Sequence, residues 1–464
     1  MNFRLVFLIM LPHSLSPGSF TILTLAVISS FLIFLRHDPE EEGIEFWMFA
    51  KNHYVMYEEE FEKARDPQVN GDLIAYGAME RRLLSGVLSD TPVPDLVEVQ
   101  LTMASRFFSG PIDAVGFTDL RPLLEAEGLD KRINPASFSP WTREGRIFGL
   151  PHDMHPVMLG YRADIVEAAG IDVNDIETWE DFVRILTPLM RDFDGDGTMD
   201  RYLLDLWETD YFGIEMLLLQ AGGWYFDITG APAMNSDINI KVLATMVHWT
   251  TGPSRIGVNV PRFDAEGNRM RLEGGVIFQF MPDWYAGVMQ QDVPGLAGKM
   301  KMMPLPAWEP GGRRTSCTGG TMLSIPKRAA HPEAAWEFAK KLYLGTEVAE
   351  KLYKEAMIVS PVIDNWDEDF YDEPIAYYSG QPVGRFYLDL ANDIPQRVPS
   401  AFMVMAQQAM INAFIRTRRE AQQAGVHEVE DILSLARAEL DTAQTLIENK
   451  MRRNTFLNPM EDQP

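Results

Sequence analysis

The chain has 464 residues, enough for two or three domains. Hydrophobic residues make up 46% and charged residues 23%, which excludes a wholly disordered, collagen-like or multi-span membrane chain. Acidic residues outnumber basic ones 67 to 41, a net charge of −26, which excludes a general nucleic-acid binder, because phosphate contacts need clustered Lys and Arg.

Residues 5–35 carry no Asp, Glu, Lys or Arg. The densest stretch, FTILTLAVISSFLIFL at 20–35, closes at Arg36. With Gly18 and Ser19 it reaches about 18 residues, near the lower limit for crossing a hydrocarbon core. Residues 1–37 read as a signal anchor or a signal peptide. No clear small-x-small cleavage site precedes Arg36, which favours the anchor. A lipid anchor would need a cysteine just after this segment, and the single cysteine is Cys317. That lone cysteine also excludes an internal disulfide and a multi-cysteine metal site. The rest of the chain is expected on the periplasmic or extracellular face, tethered to the cytoplasmic membrane.

After an acidic linker at 38–43, IEFWMFA (44–50) reads as a buried strand opening a domain. Residues 54–63 are helical in composition, and Pro94 precedes a second strand at 95–101. Residues 117–129 hold a helix with Gly128 near its end. REGRIFGLPHDMHPVMLGYR (143–162) reads as a hairpin leading into a long extended crossing. A short helix ends at Gly170. Thr178 then caps TWEDFVRILTPLM, with Asp181 in the N3 position of a capping box. YFGIEMLLLQAGG (211–223) is a strong helix, and GGVIFQFM (274–281) is a strand ending at Pro282. An edge strand follows at 298–306, then a strand at 319–327 and a helix at 331–343. Two long amphipathic helices, 401–425 and 426–453, close the chain. Alternating strands and helices with short connections predict α/β architecture.

The chemistry of a recognisable enzyme is absent. There is no GxSxG elbow, P-loop, GxGxxG after a strand, or HExxH. Cys317, in RTSCTGGT, has no evident catalytic partner. No catalytic residue and no organic cofactor are expected.

One local motif carries chemistry. DFDGDGTMD at 192–200 places Asp192, Asp194, Asp196 and Asp200 at positions 1, 3, 5 and 9 of a calcium-type loop. Gly197 would permit the sharp turn, and Thr198 would offer its backbone carbonyl at position 7. Position 12 is Leu203 rather than a bidentate Glu, so Asp205 or water would have to complete the shell. Two readings stand: a structural Ca²⁺ clamp, or a solvated acidic turn.

GRIFGLP at 145–151, the segment 159–171 and TWEDF at 178–182 resemble the bacterial extracellular solute-binding proteins of family 1, the maltose-binding type. PDLVEV (94–99), FTDLRPL (117–123), LLLQAGGWYFD (217–227) and 318–342 agree in the same order, so the resemblance covers about 400 residues. It implies a two-lobe periplasmic binding protein fold of type II, α/β in class, with hinge crossings. Lobe 1 would hold 43–152 and 318–350; lobe 2 would hold 153–317 and 351–464. It also implies a monomeric substrate-binding protein of an ABC importer, closing on a sugar or oligosaccharide and then read by permease subunits.

Sugars need aromatic platforms and planar polar side chains. The family pattern places such residues at Trp47, Lys51 and Asn52, at Glu98 and Gln100, and at Asp153 and His155. In the far lobe it points to Glu208, Tyr211, Trp224, Asp283 and Trp284, with Trp284 expected in a loop. Trp47 also reads as a core residue. Lys51 departs from the oligosaccharide binders and suits an anionic solute. Glycerol phosphate or a uronide would suit it, and a polyamine stays as a separate alternative ligand. A sensory input protein and an exported carbohydrate-active enzyme are the alternatives of other classes.

Overall fold

The computed structural model describes Thr24 and residues 43–454, apart from 65–66, 90 and 207. The expected membrane segment lies outside the described residues except for Thr24, and no described helix is long and apolar enough to cross a membrane.

In chain order the described strands are β1 (Ile44–Met48), β2 (Val69–Leu73), β3 (Leu96–Gln100), β4 (Thr142–Arg143), β5 (Arg146–Ile147), β6 (Leu150–Pro151), β7 (Val157–Arg162), β8 (Tyr202–Asp205), β9 (Gly257–Val258), β10 (Val276–Pro282), β11 (Met300–Pro304) and β12 (Thr321–Ser324). They form two five-stranded sheets, ordered β2-β1-β3-β12-β6 and β11-β7-β10-β8-β9, with β4-β5 as the small hairpin. In the first sheet β1 runs parallel to β2 and β3, while β12 is antiparallel to β3 and β6. In the second, β10 is parallel to β8 and antiparallel to β7.

Burial explains the strand sequences. β7 and β10 are buried at every residue, which fits central strands covered on both faces. β1 alternates buried and half-buried positions. The MKMMP strand β11 lies at the edge of its sheet, as its sequence predicts.

Helix ends follow local chemistry. The Thr178 Oγ1 accepts the Asp181 N–H at 3.1 Å, and the Asp181 carboxylate accepts the Thr178 N–H at 3.1 Å, which completes the capping box. Gly128 and Gly170 end their helices in the left-handed conformation. The closing pair is Met403–Ala424 and Val429–Arg452. In the second of these, Ile432, Ala436, Leu440, Ala443 and Ile447 form one buried stripe against lobe 2.

The sequence reading passed over β2 and the helices Tyr76–Leu88, Asp237–Thr250, Asp283–Asp292 and Thr346–Ala356. The last belongs to neither lobe alone. Leu352 and Ala356 join the core around β1, whereas Tyr353 joins the core around β10.

The chain passes between the sheets three times. It leaves the first sheet after β6 and enters the second at β7, and it returns between β11 and β12. These two passages touch through an isolated bridge between Pro156 and Cys317. After Ala356 the chain crosses again. There the Met154 N–H donates to the Val359 carbonyl at 3.3 Å, tying the third passage to the first.

Candidate functional site

Among the described residues, cavities of two sizes open between the lobes. The smaller, about 320 Å³, is walled by Tyr76, Thr102 and Arg106 from lobe 1 and by Tyr211, Gln407 and Ile411 from lobe 2. The larger, about 840 Å³, runs beside the hairpin and the 396–402 segment. Its guanidinium groups are committed to backbone: Arg121 to Gly145, Arg143 to Phe108 and Gly110, and Arg397 to Gly319. Phe108 and Phe138 at its wall are buried and offer no open ring face. The smaller cavity has a tyrosine on each side and polar groups already oriented by neighbours, Arg106 by Glu80 and the Gln407 amide by Glu215, which suits a small polar ligand.

Its lobe 1 wall is built at the end of β3. Gln100 caps the helix Leu101–Phe107, its Oε1 accepting the Thr102 N–H at 2.7 Å. The Tyr76 hydroxyl donates to the same Oε1 at 3.2 Å, and Phe49 meets the Tyr76 ring edge-on. The lobe 2 wall begins with Asp210, which caps the helix Tyr211–Ala221 by accepting the Phe212 N–H at 3.0 Å. Asp210 also pairs with buried Arg262 at 3.2 Å, and that guanidinium lies over the rings of Phe212 and Tyr285. Burial raises the Asp210 pKa despite this partner. The Tyr211 hydroxyl interacts with Gln100 across the gap, and burial raises its pKa.

Next to this wall, Trp284 packs against the cores of both lobes. It is not a loop residue; it occupies the first turn of the helix Asp283–Asp292, immediately after Pro282. Its ring stacks on exposed Phe263 at 6.2 Å and 21° and tilts against Phe212 at 5.8 Å. Its indole N–H donates to the Thr318 carbonyl at 3.3 Å.

The other expected residues divide by burial. Lys51 and Asn52 are exposed, but they open the helix Lys51–Lys63 rather than forming a loop. Trp47 is half-buried and packs on the lobe 1 core, in line with its core reading. Trp224 is buried, stacks on Tyr225 and donates its N–H to the Val398 carbonyl at 3.0 Å, so it does not line the gap. Glu208 is engaged by Arg418 of the closing helix pair.

Glu98 is fully enclosed. It pairs with His53 at 3.1 Å and accepts from the Tyr343 hydroxyl at 2.9 Å. Burial alone would lower the His53 pKa, but the Glu98 carboxylate outweighs it and raises it. Burial and the His53 charge lower the His152 pKa. Neutral His152 then accepts from the Tyr57 hydroxyl at 2.7 Å and donates to Asp153 at 3.1 Å. His53, Glu98 and His152 lie close enough to share an ion. However, the two rings are stacked at 4.3 Å and both nitrogens of His152 are committed. In-plane lone pairs of stacked rings do not converge on one metal, so this cluster is a hydrogen-bond network.

The acidic loop is closed by hydrogen bonds from its own backbone to its carboxylates. Asp192 accepts the N–H groups of Gly195 and Gly197 at 2.7 and 2.9 Å, and Asp200 accepts that of Phe193 at 2.7 Å. Asp194 and Asp196 accept the N–H groups of Asp196 and Thr198. Carboxylates of Asp192, Asp194 and Asp200 converge; Asp196 stands outside that group. Asp205 does not complete the shell, because it is buried and paired with Arg271 at 3.1 Å. Glu266 and Glu273 border the same recess.

Sequence reasoning missed Tyr76, Phe212, Arg262, Phe263 and Gln407. Phe212, next to Tyr211 in the segment already singled out, was the one within reach of a local signal.

The family model described as bacterial extracellular solute-binding protein matches residues 53–344. The arabinooligosaccharide-binding protein of Halalkalibacterium halodurans is 27% identical over 364 residues, covering 75% of this chain and 78% of its own. That of Bacillus subtilis is 29% identical over 307 residues, covering 64% and 68%. The structure of the sugar-binding protein MalE from Xanthomonas citri superposes with a TM-score of 0.70 at 15% identity, covering 89% of this chain and 99% of that one.

Proposed function

The chain belongs to the bacterial extracellular solute-binding proteins, and on that basis we propose that it captures an oligosaccharide between its lobes and delivers it to an ABC importer. It works outside the cytoplasm and hands its ligand to permease subunits in the membrane. The observation that carries the ligand class is the interlobe cavity with Tyr76 on one wall and Tyr211 on the other, beside the Trp284–Phe263 stack. Flat rings take the C–H faces of sugars, and the amide oxygens of Gln407 and Gln408 on the lobe 2 wall offer acceptors to hydroxyls. The names of the two relatives make pentose oligosaccharides the first choice. The protein acts as a monomer without catalysis, held at the membrane by the apolar segment at 20–35.

Isothermal titration with arabino-, galacto- and malto-oligosaccharides tests this reading. Saturable, stoichiometric heat with one class and recovery of the sugar unhydrolysed are expected. Absence of heat with every sugar, or turnover of a glycoside, would overturn it.

We also propose that the 192–200 loop holds Ca²⁺ as a structural clamp. The convergence of Asp192, Asp194 and Asp200 supports this. Calcium at about 100 times its dissociation constant should stabilise the fold by about 2.7 kcal/mol and raise the melting temperature. Asp192→Asn with Asp200→Asn should abolish that shift, and an unchanged shift would remove the loop as the site.

A further inference from the structure

Three passages of chain meet at one side chain pair. His155 lies on the first passage in the left-handed conformation, φ 59°, uncommon for a non-glycine residue. Gly319 lies on the second; a side chain there would meet the Trp284 indole nitrogen at 3.0 Å and the His155 ring at 3.7 Å. Met357 and Val359 lie on the third, with Met357 also left-handed at φ 61°. Asp283 draws these together. One carboxylate oxygen accepts the Val359 N–H at 3.0 Å, the other lies 3.6 Å from His155 Nδ1, and the Asp283 N–H donates to the Pro156 carbonyl at 3.3 Å. The opposite His155 nitrogen, Nε2, contacts the Asp153 carboxylate. All three groups are buried.

We propose that His155 is the positioning residue of the hinge: as an imidazolium between Asp153 and Asp283 it locks the three passages together and sets the helix that carries Trp284 for closure on the ligand. Two buried carboxylates facing one ring favour a charged ring, since an unpaired buried carboxylate is strongly disfavoured; burial and the Asp153 charge push the Asp283 pKa up, and His155 opposes this. Burial acts to lower the His155 pKa, but Asp153 and Asp283 raise it to about 9. The other titratable groups around the site are His53 and His152 from lobe 1, and Tyr371 and Tyr387 next to Asp283. A raised value means that the clamp contributes fully below pH 6.5 and is lost as pH rises through about 9.

This proposal rests on the solute-binding reading, so its test has one arm that needs no ligand. In the ligand-free wild-type protein, ¹⁵N shifts of the His155 ring should report an imidazolium at pH 7.5 that titrates near pH 9. A neutral ring at pH 7.5 would overturn the proposal whatever the protein binds. The second arm uses the oligosaccharide found by titration calorimetry. Wild-type Kd should weaken by about twofold between pH 6.5 and pH 9 and by about tenfold by pH 10. His155→Gln should bind more weakly at pH 6.5 and lose the pH dependence. The paired variant His155→Gln with Asp283→Asn, which leaves no unpaired charge at Asp283, should recover part of the affinity. A His155→Gln profile that parallels the wild type would overturn the positioning role. Failure of every sugar to bind would count against the carbohydrate reading alone.

Discussion

Replacing Trp284 with alanine is expected to weaken oligosaccharide binding by roughly 30- to 1,000-fold, about 2–4 kcal/mol, and to lower the melting temperature, because the ring also packs on both lobe cores. The ring is half-buried, joins the cores of both lobes and stacks on exposed Phe263. It therefore presents a flat face at the seam, where closure excludes water. Its helix start stays intact, because Asp283 and not Trp284 makes the backbone contacts to Val359 and Pro156. Titration calorimetry on W284A beside a thermal melt separates the two effects. A loss smaller than threefold, with the fold intact, would move the platform elsewhere, and Tyr76 and Tyr211 would be next.

Replacing Glu98 with alanine is expected to cost about 3–5 kcal/mol of stability, the scale for breaking a buried pair and leaving the partner unpaired. Glu98 has no exposed surface and joins His53 to Tyr343. E98A leaves the His53 charge uncompensated, whereas Glu98→Gln keeps the shape and should cost less. The pH dependence follows from two opposite shifts. Burial would raise the Glu98 pKa, but His53 and its neighbours lower it, so its contribution is present above 4.5 and lost as pH falls through the depressed value. His53 is raised, so its contribution is full below 6.5 and lost as pH rises. Wild-type stability from this pair should therefore peak between pH 4.5 and 6.5, and E98A should flatten that peak. Urea midpoints across pH measure it. A cost below 1 kcal/mol would mean that the pair is offset by its own desolvation.

The amino-acid order by itself determined the α/β alternation, the capping box at Thr178, the hairpin and first crossing, and the two closing helices. Each of these is written in contiguous residues, because capping, periodicity and turn chemistry act within a few positions. The motif order was enough to imply the two-lobe class for the same reason. Tertiary structure alone decided which polar and aromatic side chains face the gap. Glu98 and Trp224 read as ligand residues, yet packing encloses both. Tyr76 and Gln407 carried no local sign, and they meet at one cavity only because the chain passes between sheets and returns through the closing helices. Asp153, His155 and Asp283 were legible as a group of candidates near the cleft. Their role as a charged knot depends on the approach of Val359 and Gly319, residues brought from distant parts of the chain. Convergence of that kind is set by how lobes pack, since two surfaces must bury each other before their side chains share one environment.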